Sequence, residues 1–229
     1  MNTSVATTHM IVLPGGGYAE HAAHEAEPVA GWLGEIGVQA SVFCYPLNAR
    51  HPAPLDALRA EIGRRRAAGA RRIGLIGFSA GGHLAGLAAL APGAAPEQTV
   101  QFAVLGYAIT SMETETYRPA RLILIGEDAS PRLRRSTSLD ALVTPQSPPF
   151  FSWHTAEDPY VPPEHTYRFA AALAASQVPH AVHMFTHGPH GLGLAEGAGE
   201  AAIWTTLANA WIHEQASPQG QAAGRKGWM

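Results

Sequence analysis

The amino-acid sequence predicts one α/β domain: a mostly parallel sheet of about six strands with helices on both faces. Three observations predict it. Short apolar runs rich in β-branched residues alternate with segments of helical periodicity along most of the chain. The helical segments run to about ten to fifteen residues, the length that a crossover between parallel strands requires. The 229 residues, 46% of them hydrophobic and 14% charged, are enough to bury one sizeable core.

Taken in order, HMIVL (9–13) reads as the first strand, and AEPVAGWLGEIG (26–37) as a helix closed by Gly37. VQASVFCY (38–45) is a strand and PLDALRAEIGRRRAA (54–68) a helix. RIGLIGF (72–78) is the third strand, followed by the helix AGGHLAGLAALA (80–91). VQFAVLGY (100–107), PFFSWH (149–154) and HAVHMF (180–185) complete the strands. PEHTYRFAAALAAS (163–176) and EAAIWTTLANAWIHE (200–214) supply the remaining helices. Residues 108–148 are the least regular, with a short helix possible in SPRLRRSTS and an extended run in TPQSPP before the fifth strand. That interval is too short for a helical cap, so the site is expected to be fairly open, favouring small acyl groups on a bulky alcohol. The domain is expected to span 1–214, with a polar, glycine-rich tail at 215–229 that frays.

Composition narrows the partners. A formal charge of −3 offers no basic stripe to neutralise phosphates, which argues against nucleic acid. Arg64–Arg66 and Arg71–Arg72 read as a solvated helix end leading into a strand. Cys44, the single cysteine, allows no intrachain disulfide and reads as a small buried hydrophobe. The start has no basic region and only the apolar run MIVL before Pro14, too short for a signal peptide or a membrane span. The cytoplasm is therefore the expected location, with no membrane partner.

The chemistry starts at LPGGGYAEHAAH (13–24), where three glycines follow an apolar run. Glycine loses more freedom on folding than any other residue, so something must come very close to this backbone. A dinucleotide loop would need a further glycine at the G-x-G-x-x-G offset, and an acid ending the second strand. Neither is present, and a P-loop is excluded because the only lysine is Lys226. What remains is an oxyanion hole, with amides of Gly16 or Gly17 joining that of Ala80.

Gly77-Phe78-Ser79-Ala80-Gly81 supplies the partner motif. The bare G-x-S-x-G pattern is weak, but a strand before it and a helix after it are the setting of a nucleophile elbow. A serine hydroxyl needs a base, and the base needs a carboxylate to hold its tautomer. WHTAEDPYVP (153–162) offers Glu157 and Asp158, and Asp158 is preferred because it opens a D-x-x-V-P turn. FTHGPHGLGL (185–194) offers His187 and His190, and His190 is preferred for its glycine-flanked loop. The order Ser79, Asp158, His190 is that of an α/β-hydrolase.

Other residues read more plainly. The twelve histidines do not form a ligand pattern of metal-binding spacing, so no metal and no cofactor are expected. His24 and Glu25 are expected to tether the loop or face solvent, with substrate contact as the alternative, and His83 to be structural. Tyr18 and Tyr160 are candidate substrate-binding walls of the pocket. Trp32, Trp204 and Trp211 fall on apolar helical faces and read as core.

PGGGYAEHAAHEAEPVAGWL, GFSAGGHLAG, TPQSPPFFSWHTAEDPYVP and HGPHGLGL, in that order over residues 10–213, resemble small cap-less α/β-hydrolases known as acetyl xylan esterases or bifunctional acetyl xylan–feruloyl esterases. The resemblance implies an esterase with Ser79, Asp158 and His190 as triad, removing short acyl groups from acetylated sugars. It also implies a sheet lacking the first two antiparallel strands usual in the fold. Pro14 agrees with the family's Pro-Gly-Gly-Gly-Tyr form. A chain without a secretion signal would meet a small-molecule ester or an imported acetylated oligosaccharide. Two rivals stay open: an amide-cleaving hydrolase on the same triad, and a non-catalytic binding module.

Overall fold

A computed structural model describes residues 8–216 of the chain. Six strands, β1 (Thr8–Leu13), β2 (Gln39–Val42), β3 (Arg72–Phe78), β4 (Phe102–Gly106), β5 (Phe150–Thr155) and β6 (His180–Phe185), form one sheet in the order β2-β1-β3-β4-β5-β6. Every neighbouring pair is parallel. Seven helices connect and flank them: α1 (Glu27–Glu35), α2 (Ala53–Ala67), α3 (Ser79–Leu90), α4 (Arg118–Ile125), α5 (Pro131–Ser136), α6 (Glu164–Ala175) and α7 (Trp204–Ala216).

The sequence makes this sheet two-faced by strict alternation. In β1, Ile11 and Leu13 join one core while Met10 and Val12 join the other. β3 repeats the pattern, with Ile73 and Leu75 on the first side and Ile76 and Phe78 on the second. Side chains in a strand point to opposite faces in turn, so uninterrupted apolar runs are what a sheet covered on both sides demands. α2, α3 and α6 cover the first face, through Leu58, Leu84 and Phe169 among others. α1 and α7 cover the second, where Trp204 stacks on Trp153 with ring centroids 4.9 Å apart. Trp32 and Trp211 pack half-buried against that core.

Three boundaries differ from expectation. β2 ends at Val42 rather than at residue 45, its last pairing being with Val12 of β1. Cys44 consequently lies beyond the ladder and is exposed, not a buried hydrophobe. The interval 108–148 holds two helices, of which the sequence suggests only α5, capped by Ser130 Oγ accepting from Leu133 N at 3.2 Å. α4 buries Ala120, Leu124 and Ile125 in the first core. Lastly, α7 runs to Ala216, so the expected tail begins inside a helix, and its remainder lies outside the described residues. Among the described residues no helix is long and apolar enough to cross a membrane.

Candidate active site

The register brings the strand ends together. Leu13 of β1 pairs with Gly77 of β3, Phe78 with Gly106 of β4, Gly106 with Trp153 of β5, and Thr155 with Phe185 of β6. The loops leaving these ends therefore emerge along one edge, where open parallel sheets place their sites.

At the end of β3 the chain turns directly into α3, and Ser79 occupies the turn with φ of +51°. A non-glycine residue held there is strained, a state that persists only where surrounding structure imposes it. The packing that imposes it needs glycine on either side. A Cβ on Gly77 would strike the Gly81 carbonyl, and one on Gly81 would strike the carbonyls of Leu13 and Pro14. Ser79 Oγ is thereby presented to the edge, 2.9 Å from His190 Nε2.

His190 Nδ1 in turn donates to Asp158 Oδ2 at 2.6 Å. Ser79 opens α3 directly after β3, while Asp158 and His190 lie in the loops after β5 and β6. Asp158 is saturated with donors. Oδ2 also receives His154 Nε2–H at 3.0 Å, and Oδ1 receives the amides of Tyr160 and Val161 at 2.9 and 3.0 Å. Burial opposes ionisation of this carboxyl, but the hydrogen bonds from His154 and His190, the positive potential of His190 and the Val161 amide outweigh it. Together they hold it well below the usual carboxylate range. The alternative members of each pair sit elsewhere: Glu157 and His187 bond to each other at 3.0 Å in solvent.

The glycine loop passes over the serine. A Cβ on Gly15 would come within 3.0 Å of Ser79 Cβ. Gly16 has φ of +116°, and a Cβ there would enter the Glu20 backbone, so both positions exclude side chains. Gly16, Gly17 and Ser79 share one cleft of about 380 Å³ with His190, Tyr117 and Tyr160, within the ordinary size range of small-ligand pockets. Ala80 lies in the first turn of α3, where amides have no intrahelical acceptor.

Tyr18 is not a wall of this cleft. Its φ of +64° turns the ring inward, where it is fully buried. There it packs edge-on against Tyr45, and its hydroxyl bonds His83 Nδ1 at 2.7 Å. His83 also reaches the Thr137 carbonyl at 2.7 Å, and burial pushes its pKa down to about 4. It is a structural link between α3 and the segment before β5. Tyr160 does line the cleft, edge-on to His190, and Tyr117 stands beside it with ring centroids 5.7 Å apart.

Glu25 emerges as the tether between loops. It is 2% exposed, and its Oε2 accepts the Gly15 amide at 2.6 Å. Its Oε1 accepts the Tyr107 hydroxyl at 2.6 Å, and that hydroxyl accepts the Gly193 amide at 2.8 Å. Alongside, His24 Nε2 donates to the Gly191 carbonyl at 2.9 Å. The glycine loop and the His190 loop are thus braced by one buried carboxylate. Among the described residues, no three histidine, cysteine or acidic side chains gather as a metal site would require.

The sequence pattern of the prolyl oligopeptidase family matches residues 55–219, which include all three members of the Ser79–His190–Asp158 row. The chain belongs to the prolyl oligopeptidase family. Among solved structures, this family member is similar to an acetyl ester-xyloside bifunctional hydrolase from Caldicellulosiruptor lactoaceticus. The two share 37% identity and a TM-score of 0.85, over 90% of this chain and 82% of the other. It is also similar to a carboxylesterase from Lactobacillus plantarum, at 32% identity and a TM-score of 0.76, over 91% and 86% of the two chains. An endo-1,4-beta-xylanase B from Butyrivibrio fibrisolvens is 30% identical over 214 residues, 85% of this chain. The chain spans 34% of that protein's length. The fold of this prolyl oligopeptidase family member is that of the α/β-hydrolases.

Proposed function

We propose that the enzyme removes short, acetyl-type acyl groups from esters of sugars through an acyl-enzyme. One observation carries the reading: Ser79 Oγ, His190 and Asp158 lie in a hydrogen-bonded row of 2.9 and 2.6 Å, beside glycine backbone in an open cleft. Ser79 loses its proton to His190 Nε2 and attacks the ester carbonyl. The oxyanion rests on the amides of Ala80 and Gly16 or Gly17, donors each worth on the order of 10²–10³ in rate. Imidazolium His190 protonates the departing alcohol while Asp158 stabilises its charge. Water, deprotonated by the same imidazole, then releases the acid and restores Ser79. No cofactor takes part in these steps.

Substrate class rests on the shape of the cleft and on the company the chain keeps. Tyr160, 57% exposed, offers an aromatic face beside the nucleophile, suited to the apolar face of a sugar ring on the alcohol side. The similarity to an acetyl ester-xyloside hydrolase supports the same class. The testing experiment is a hydrolysis screen of acetylated mono- and oligosaccharides beside aryl esters, longer-chain esters and matched amides. A fluorophosphonate probe serves to count activated serine. Acetylated sugars should rank first in kcat/KM. Faster turnover of amides than of the matched esters would replace this reading with amide cleavage, and absence of probe labelling would end it.

A further inference from the structure

We propose that His154 is a positioning residue of the reaction, holding Asp158 aimed at His190 through a hydrogen bond to the same carboxylate oxygen that His190 uses. The inference rests on the triad reading above and adds to it a member that never touches substrate. His154 is the penultimate residue of β5 and has no exposed surface. By the alternation of the strand it faces α6, while its neighbour Trp153 faces α7.

Its two ring nitrogens have distinct surroundings. Nε2 stands 3.0 Å from Asp158 Oδ2 and 3.0 Å from the Val161 carbonyl, both acceptors, so this nitrogen carries the proton. Nδ1 lies 2.8 Å from Thr166 Oγ1, whose hydroxyl donates to it. The ring is satisfied at both ends as one tautomer. A row of five therefore runs from α6 to the nucleophile: Thr166, His154, Asp158, His190, Ser79.

The two oxygens of Asp158 divide the labour. Oδ1 is pinned by two backbone amides of its own turn. Oδ2, the oxygen that must face His190, is held by imidazoles alone. Without His154, the only remaining bond to Oδ2 comes from the very imidazole it is meant to orient. The ionisable groups around the ring are Asp158, His190 across the carboxylate, and His165 on α6. A donor at His154 fixes Oδ2 while the same oxygen keeps its bond to His190, whose imidazolium it must stabilise.

The test uses three variants of the full chain. His154→Phe keeps a ring and removes both nitrogens; His154→Gln restores a donor near Nε2 and an acceptor near Nδ1; Thr166→Val removes the far donor. Misplacing a catalytic group by an ångström can cost about 10²-fold, so His154→Phe should lower kcat by up to that factor with KM nearly unchanged. The acid limb of its kcat/KM profile should move to lower pH, since a loosened Asp158 stabilises imidazolium less. His154→Gln should recover most of kcat, and Thr166→Val should lose a few-fold. A folded His154→Phe protein with wild-type kcat and pH profile would overturn the proposal, as would His154→Gln losing as much as His154→Phe. If His154→Phe does not fold, the other two decide, and wild-type kcat in Thr166→Val together with a deep loss in His154→Gln refutes the role. Ser79→Ala retaining activity would instead sink the triad reading itself, a separate outcome.

Discussion

Two histidine–carboxylate pairs stand side by side at the end of β5. Asp158 takes His190 Nδ1 at 2.6 Å, and its neighbour Glu157 takes His187 Nδ1 at 3.0 Å. By contact alone they are alike, but their environments are opposite. The side chains of His190 and Asp158 are 15% and 0% exposed, whereas those of His187 and Glu157 are 75% and 59% exposed. In the buried pair the acid has three further donors and the imidazole faces a serine. In the exposed pair, the bond to Glu157 raises the His187 pKa and the bond to His187 lowers that of Glu157, yet water screens what the contact is worth. What makes a pair chemical is enclosure and a third member in line, not the hydrogen bond itself.

The sharpest break of the comparison removes that third member. Ser79→Ala should reduce kcat on an acetyl ester by on the order of 10⁶, the scale seen when subtilisin loses its serine. It should also abolish fluorophosphonate labelling. His187 and Glu157 should then support no residual turnover, since no serine or cysteine is among the bonding partners of this pair in the described residues. Asp158→Asn comes next, with a loss of on the order of 10⁴, the size of the matching aspartate-to-asparagine change in serine proteases of the chymotrypsin type. Steady-state kinetics on the two proteins at one pH checks the order.

The buried acid should also leave a signature in stability. Its carboxyl titrates below the ordinary carboxylate value of about 4 that it has when unfolded. Folding is therefore favoured above about pH 4, and that contribution is lost as pH falls from there through the folded-state value. Acid denaturation of the wild type should be steeper in this range than that of Asp158→Asn, which has nothing to titrate there. Parallel curves would mean that Asp158 is not held as an anion.

A smaller effect is expected at the brace. Glu25→Gln keeps the volume but can accept only at one end, so either the Gly15 amide or the Tyr107 hydroxyl loses its acceptor. Both loops should loosen together, lowering kcat by about 10- to 100-fold through misplacement of the oxyanion amides and His190. A double variant with Tyr107→Phe should lose little more than either single change, because the two act through one connection. Strictly additive losses would show that the loops are positioned independently.

How far the sequence leads follows from where each residue sits. Ser79, Asp158 and His190 are legible because each follows a strand and carries a turn signature of glycine or proline. The parallel sheet is legible because its apolar runs are buried on both faces. Glu25 is only half legible: its place beside the glycines suggests a tether, but its partners Tyr107 and Gly193 lie far along the chain. His154 is invisible, since a histidine inside a strand breaks no periodicity and its bond to Asp158 needs the turn at 156–161 to fold back. Tyr18 is misplaced by a sequence reading because proximity to glycines says nothing about which way a positive φ turns the next side chain. α4 escapes because it is only eight residues long and lies in the least regular stretch of the chain, where no neighbouring strand frames it. Cys44 follows the strand pattern past the point where an edge strand stops.

The least disruptive change isolates the exposed pair. Glu157→Gln removes the charge facing His187 and leaves the Asp158 turn untouched, so kcat should stay within about 2-fold of wild type, as for exposed ion pairs generally. The pKa of His187, followed by its ring proton resonances, should fall, because the bond and charge that raise it come first from Glu157. Glu200 still accepts the His187 amide and adds a smaller upward pull, so part of the elevation should persist. A large drop in kcat with the His187 pKa unmoved would reverse the assignment of the two acids. Both changing together would mean that the exposed pair feeds into the buried one through the 188–190 turn, where Gly188 N meets Glu157 at 3.4 Å. That length is the weakest contact in the cluster, and it is why the two pairs should titrate and mutate independently.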